Sequence, residues 1–299
     1  MTDSIEVLEV GPRDGLQNEP APVPTVAKVE LIDRLLDAGV TRLETTSFVH
    51  PAAVPQLADA DEVMAAVARP AGVVHQGLVL NERGFDRAVA ARCDEINVIV
   101  VVTDAFSERN QGMTTGAMLD VADVVAGRAA EAGIPMTVTL SAAFGCPFSG
   151  EVDPGHVEAI AGRVGELRPA QIALADTIGV GVPAQVHDLF GRCRRAAPGT
   201  ALRAHFHNTR NTGYANALAA IDAGVVTLDA SVGGIGGCPF APDATGNIAT
   251  EDLVYVLERS GISTGLDLDR LMRAAEFVGE LVGREVPGQM SRAGRFPAR

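Results

Sequence analysis

His205-Phe206-His207 places two imidazoles on alternate positions of an apolar run. In an extended chain alternate side chains point the same way, about 6.6–6.8 Å apart, so both rings face one side. Two such rings can share a metal ion, and Asp14 and Asn247 supply oxygens that complete a facial set. Two nitrogens and two oxygens without a thiolate suit Mg2+ or Mn2+, and imidazole also suits zinc. The competing reading is a pair of core histidines hydrogen-bonded to neighbouring carboxylates. Arg13, next to Asp14, is a fixed cation able to stabilise an oxyanion and, at the same time, to pair with Glu44. Asp176 reads either as a proton carrier or as a partner that orients a histidine. Cys238 ends the glycine-rich run Gly233-Gly234-Ile235-Gly236-Gly237. So much glycine costs backbone entropy and fits a loop that closes over substrate, where a thiol can act as acid or base. Cys93 and Cys193 read as small buried hydrophobes. Cys146, in Gly145-Cys146-Pro147-Phe148, stays open between structural and functional roles.

Something must bring these residues together. Runs rich in Val, Ile and Leu predict strands at Ile5–Val10, Arg42–Thr46, Val73–Leu80, Glu95–Val102, Met136–Ala142, Gln171–Ala175, Ala201–His207 and Val225–Ala230. Between them lie Ala-rich helical stretches near 25–38, 55–68, 83–92, 116–132, 154–167, 183–197, 212–223 and 250–260. Strict alternation of this kind predicts an α/β fold, a (β/α)8 barrel over residues 1–265. A helix and a polar, partly mobile tail over 266–299 form a short C-terminal extension. An open doubly wound sheet would want G-x-G-x-x-G after the first strand, and Gly11-Pro12-Arg13-Asp14-Gly15 is not one. Barrels carry their chemistry at the C-terminal ends of the strands. Arg13, Asp14, Glu44, Ser47, Asp176, His205, His207, Cys238 and Asn247 all fall there.

Composition excludes several alternatives. The 299 residues carry 24 basic and 38 acidic side chains, a formal charge of −14. A phosphate footprint needs clustered Lys and Arg, so nucleic acid is not the expected partner. Lys28 is the single lysine and lies in the first predicted helix, which disfavours Schiff-base and carbamyl-lysine chemistry at a strand end. If this barrel makes or breaks carbon–carbon bonds, the electron sink should be a metal. The four cysteines are dispersed without C-x-x-C, and no apolar run reaches the ~18 residues of a membrane span. A cytoplasmic setting without membrane contact is the expectation.

Glu9-Val10-Gly11-Pro12-Arg13-Asp14-Gly15-Leu16-Gln17-Asn18-Glu19, Glu44 through Val49, Asp176 through Gly181, Gly233 through Phe240 and Ala249 through Tyr255 together resemble the hydroxymethylglutaryl-CoA lyase family over about residues 5–283. The resemblance implies a metal-dependent barrel that cleaves 3-hydroxy-3-methylglutaryl-CoA to acetyl-CoA and acetoacetate, a step of leucine breakdown. It implies Asp14, His205, His207 and Asn247 as ligands of Mg2+ or Mn2+, and coenzyme A as part of the substrate. It further implies Arg13 as enolate stabiliser, Cys238 as the catalytic residue of the glycine loop, and Glu44 and Asp176 as supporting carboxylates, in a homo-oligomer.

Two departures bear on the acyl group. The family continues H-x-H with Asp-Thr-Tyr-Gly, whereas this chain has Asn208-Thr209-Arg210-Asn211; and His50 stands where a small residue is usual. Gln17, Ser47, His50 and Arg210 are the candidate substrate contacts, with Arg210 a potential carboxylate partner. Citramalyl-CoA or a 3-alkyl glutaryl-CoA is the alternative substrate. A Claisen-type synthase and a barrel that merely binds acyl-CoA are the more distant readings.

Overall fold

Eight parallel strands pair in chain order and the last returns to the first, closing a barrel. They are β1 (Glu6–Glu9), β2 (Arg42–Ser47), β3 (Val74–Val79), β4 (Glu95–Val101), β5 (Met136–Ser141), β6 (Gln171–Asp176), β7 (Ala201–Phe206) and β8 (Thr227–Ala230). This computed structural model describes residues 3–237 and 246–296. The helices are α1 (Thr25–Asp37), α2 (Ala60–Ala66), α3 (Glu82–Ala90), α4 (Asp104–Gln111), α5 (Thr115–Ala132), α6 (Pro154–Glu166), α7 (Pro183–Ala196), α8 (Gly213–Asp222), α9 (Thr250–Arg259), α10 (Leu268–Val282) and α11 (Met290–Ala293). Local chemistry sets several ends. The Asn81, Thr114 and Asp153 side chains accept backbone N–H groups at the starts of α3, α5 and α6, and left-handed Gly133 stops α5.

The apolar core lies mostly outside the barrel, between strands and helices. A second cluster joins Leu31, Ile32 and Leu35 of α1 to Leu271, Ala275 and Val278 of α10. Inside, the barrel is polar. Arg42 reaches Glu95 at 2.6 Å and Glu6 at 2.7 Å, Gln171 donates to Thr227, and Gln76 to Thr137. Buried polar groups need partners, so strand interiors of this composition hold only where neighbours satisfy one another. Lys28 is used structurally: buried in α1, it donates to Asp59 and to the Gln56 carbonyl.

The structure differs from the sequence expectation in two places. The helix expected at 55–68 is a 3-10 turn (Pro55–Leu57) followed by the short α2. Helix α4 was not expected, because Asp104–Gln111 is polar apart from Ala105 and Phe106 and shows no stripe. Burial of Phe106 and a bond from Thr115 N to Asp104 Oδ1 hold it in place. Among the described residues, the C-terminal segment after residue 283 is bonded back onto the barrel. Asp252 accepts the backbone N–H groups of Gln289 and Met290, and Arg284 pairs with Glu19. Cys146 sits after β5, in a turn bridged to Gly150.

Glu9 ties strand, loop and helix together. Its Oε1 accepts the N–H groups of Gly11 (2.8 Å) and Val232 (2.9 Å), and Thr250 Oγ1 donates to Oε2 at 2.6 Å. A Cβ on Gly11 would lie 2.6 Å from that Oε1, so a side chain there would push the Glu9 carboxylate off its partners. Burial pushes Glu9 from the usual 4.5 up to about 7. The folded state therefore binds the proton between these values, and this share of stability is lost as pH rises through about 7. Glu9→Gln keeps the two amide bonds and can donate to Thr250, so it should fold. Its unfolding free energy, measured by denaturant at pH 5 and pH 8, is expected to fall less than the parent's, by up to about 3 kcal/mol. Parallel curves for the two proteins would show that Glu9 does not take up the proton.

Candidate metal centre and active site

Directly after β1 the chain turns tightly over Gly11–Gly15, where the N–H groups of Arg13, Asp14 and Gly15 all point to the Val10 carbonyl. This turn lifts Arg13 and Asp14 to the barrel mouth. β7 delivers His205, and His207 follows it in a bridge to Asn247, the residue where the chain returns from the glycine loop. The two imidazole centroids lie 5.2 Å apart. Asp14, His205 and His207 each offer a ligand atom, all within 4.8 Å of one another; no other such group of three occurs among the described residues.

The polar partners leave the right atoms free. Asn247 Nδ2 donates to Asp14 Oδ2 (2.8 Å) and to the Ile235 carbonyl (3.1 Å), which uses both amide hydrogens and leaves Oδ1 as the open atom. His207 Nδ1 is buried without a hydrogen-bond partner. An orphaned buried imidazole nitrogen beside a carboxylate is what a cation site looks like without its cation, so these residues fit a divalent metal. The charge states of His207 and Asp14 agree. Burial, with His205 beside it, pushes His207 down to about 3 and keeps it neutral. Burial alone would raise Asp14, but Arg13 first, then the two histidines and Asn247, hold it near 2. Burial lowers His205, but Asp229, whose Oδ2 lies 3.2 Å from its Nδ1, together with Asp14 holds it above the usual value.

Arg13 links two carboxylates. Its Nη1 donates to Asp14 Oδ1 at 2.6 Å, and its Nε and Nη2 both hold Glu44 Oε2. Asn97 donates to the other Glu44 oxygen at 2.7 Å. One hydrogen on each terminal nitrogen remains for a ligand. The cavity before Arg13 is lined by Asp14, Gln17, Glu44, His205 and His207, with Asn97, Thr139 and Asp229 beneath and Phe106, Asn110, Ser141 and Thr177 on one wall. A second, larger cavity adjoins it through Arg13, Gln17, Asn18, Ile99 and Asn110. Where the glycine loop leaves and returns, Gly236 and Gly246 both have positive φ. A Cβ on Gly246 would lie 1.7 Å from the Gly236 carbonyl oxygen, so the two backbones abut.

The remaining candidates are dispersed. Cys238 lies outside the described residues. Asp176 turns its carboxylate to the N–H groups of Val180 and Gly181, both at 2.9 Å, and not to a histidine. Ser47 is buried, its Oγ near Val49 N, and does not line the catalytic cavity. Gln17 borders both cavities, whereas His50 borders the adjoining one and accepts the Ala52 N–H. Arg210 donates to the Ile178 and Gly179 carbonyls and lines a separate cavity with Asn208, Asn211 and Gln289. The sequence reading missed Asp229, Asn97, Thr139 and Arg203. Their signal was a polar residue at an alternate position of an otherwise apolar strand.

Residues 4–278 match the family model described as HMGL-like. The (R)-citramalyl-CoA lyase of Chloroflexus aurantiacus is 41% identical, over 98% of this chain and 95% of that protein. The hydroxymethylglutaryl-CoA lyase of Pseudomonas mevalonii is also 41% identical, over 99% and 95%. A solved structure of an HMG-CoA lyase from Acinetobacter baumannii, in complex with coenzyme A and 3-methylmalate, superimposes with a TM-score of 0.95 at 38% identity, covering 100% of this chain and 99% of that one.

Proposed function

The chain belongs to the HMGL-like family, and from that premise we propose that it is a hydroxymethylglutaryl-CoA lyase, cleaving 3-hydroxy-3-methylglutaryl-CoA to acetyl-CoA and acetoacetate with Mg2+ or Mn2+. The observation that carries this reading is one cavity in which Asp14, His205 and His207 converge beside the doubly clamped Arg13. Asp14, His205, His207 and Asn247 hold the cation, which when bound lowers the pKa of the substrate's tertiary hydroxyl and anchors its carboxylate.

The side chains do the rest. A base at the barrel mouth takes the hydroxyl proton, which returns by way of solvent to the Cys238 thiolate left after C2 is protonated. The O–H electron pair forms the ketone and the C2–C3 pair moves onto the thioester carbonyl. The two free N–H groups of Arg13 face the resulting enolate oxygen. Glu44 fixes the guanidinium plane. The loop thiol of Cys238 protonates C2, giving acetyl-CoA. The polar floor of Asn97 and Thr139 and the wall of Phe106, Asn110, Ser141 and Thr177 enclose the acyl group, while the adjoining cavity gives the pantetheine arm a way out.

This assignment carries with it a place in leucine breakdown, a cytoplasmic setting and a homo-oligomer. Buried free thiols at Cys93, Cys146 and Cys193 agree with a reducing compartment. No helix among the described residues is long and apolar enough to cross a membrane. A second reading, cleavage of citramalyl-CoA, is favoured by the Chloroflexus aurantiacus relative. Arg210 does not support it through direct contact, since its bonds go to backbone carbonyls outside the catalytic cavity.

Acetyl-CoA release from each thioester, with Mg2+ or Mn2+ and with chelator, tests the proposal. The expected result is fast cleavage of hydroxymethylglutaryl-CoA that stops in chelator. Fast cleavage of citramalyl-CoA with slow cleavage of the other would move the assignment to the second reading. Turnover unaffected by chelator would remove the metal from it.

A further inference from the structure

Behind His205 the barrel floor holds a buried pair with no part in the steps above. Arg203, on β7, is 1% exposed and lies on the same interior face as His205, two positions along the strand. Asp229, on β8, stands opposite His205 in the strand register. One carboxylate serves both neighbours. Its Oδ2 lies 3.2 Å from His205 Nδ1, and its Oδ1 faces Arg203 Nε at 3.3 Å as a buried ion pair without a formed hydrogen bond. Arg203 is anchored in turn by a bond from Nη2 to Thr139 Oγ1 at 3.0 Å.

A neutral imidazole has one N–H and one lone pair, and an ionised carboxylate only accepts. With Asp229 at Nδ1, that nitrogen carries the proton and Nε2 keeps the lone pair. We propose that Arg203 and Asp229 form a positioning pair that holds His205 in the Nδ1–H tautomer, so that Nε2 faces the cation shared with Asp14 and His207. This rests on the metal-dependent reading above.

Arg203 makes the pair more than a carboxylate behind a ligand, because its buried positive charge favours an oxygen at the end of residue 229 that faces it. In Asp229→Asn, the guanidinium can only donate, so it draws the amide oxygen to itself and leaves the NH2 group toward His205 Nδ1. Nδ1 must then accept, the proton moves to Nε2, and the ligating lone pair is lost. Without the guanidinium the amide can turn over and accept the Nδ1–H again. Removing Arg203 as well is therefore expected to repair the damage, which mere loss of packing cannot do.

The experiment uses the full chain labelled with 15N-histidine. The His205 tautomer is read by NMR in metal-free protein at pH 8, and affinity is read by titration with Mn2+ alone. The parent should show Nδ1–H. Asp229→Asn should show Nε2–H and bind Mn2+ about 10–100-fold more weakly. The double variant Asp229→Asn with Arg203→Met should return to Nδ1–H and recover most of that affinity. His205 keeping Nδ1–H in Asp229→Asn, or a double variant weaker than the single one, would overturn the pair. Should the double variant fail to fold, the tautomer in Asp229→Asn decides alone. No arm uses an acyl-CoA, so a chain that shows the switch yet cleaves no thioester would lose the lyase assignment and keep the positioning pair.

Discussion

Asp14→Ala is expected to lower acetyl-CoA release by more than about a thousandfold and to abolish measurable Mn2+ binding at millimolar metal. The loss should exceed the ~10–100-fold seen when only the partner behind a ligand is removed. Asp14 is the one anion among the four proposed ligands, and Arg13 and Asn247 both aim hydrogen bonds at it. Its carboxyl stays ionised down to about pH 2, so no working pH neutralises it. Taking it away leaves two imidazoles and an amide to hold a hard dication that prefers oxygen. It also leaves Arg13 with Glu44 as its remaining carboxylate. His207→Ala is the companion test, since it removes a neutral ligand without changing the charge of the site. Both variants weakening Mn2+ together with turnover is the ligand signature. Mn2+ affinity at the parent level in Asp14→Ala, with turnover gone, would reassign Asp14 to chemistry alone.

The barrel was legible because its elements differ in period. Strands such as Glu95–Val101 are short Ile- and Val-rich runs, whereas α1 carries an apolar stripe on one side, and their alternation leaves little choice of topology. The order of the strands then put Asp14, the two histidines and Asn247 at one end of the barrel. What stayed hidden depends on contacts between distant strands. The Arg13–Glu44 pair could be read from adjacent strand ends, but the Asn97 bond to the other Glu44 oxygen depends on a third strand that no local pattern brings in. Asp229 looked like a polar interruption of β8 until the register set it beside His205. Helix α4, which brings Phe106 and Asn110 to the cavity, is a polar segment stabilised by a few tertiary bonds and one buried ring. Arg210 follows the H-x-H motif in sequence, and its guanidinium donates to two carbonyls of the β6–α7 loop, a pairing the sequence does not signal.

Arg13→Lys should separate charge from geometry. The guanidinium meets Asp14 through Nη1 and Glu44 through Nε and Nη2, so one planar group spans two carboxylates and still keeps a free hydrogen on each terminal nitrogen. An ammonium is a point donor on a flexible stem and cannot reproduce that fork. Lysine at this position preserves the positive charge that offsets two buried carboxylates, so the chain should fold. It cannot point two N–H groups at an enolate oxygen while holding both anions. The lost donors serve the transition state and hardly touch the bound thioester. The expected effect is a fall of about 10²–10³ in kcat with KM changed by no more than a few-fold and Mn2+ affinity retained. Steady-state kinetics beside a Mn2+ titration reads all three. A rise in KM at constant kcat would mean that Arg13 binds substrate and transition state equally, and would remove it from the enolate step. Loss of Mn2+ binding instead would mean that its main work is to hold Asp14 in the ligand position, with the stabilising N–H groups supplied from elsewhere in the cavity.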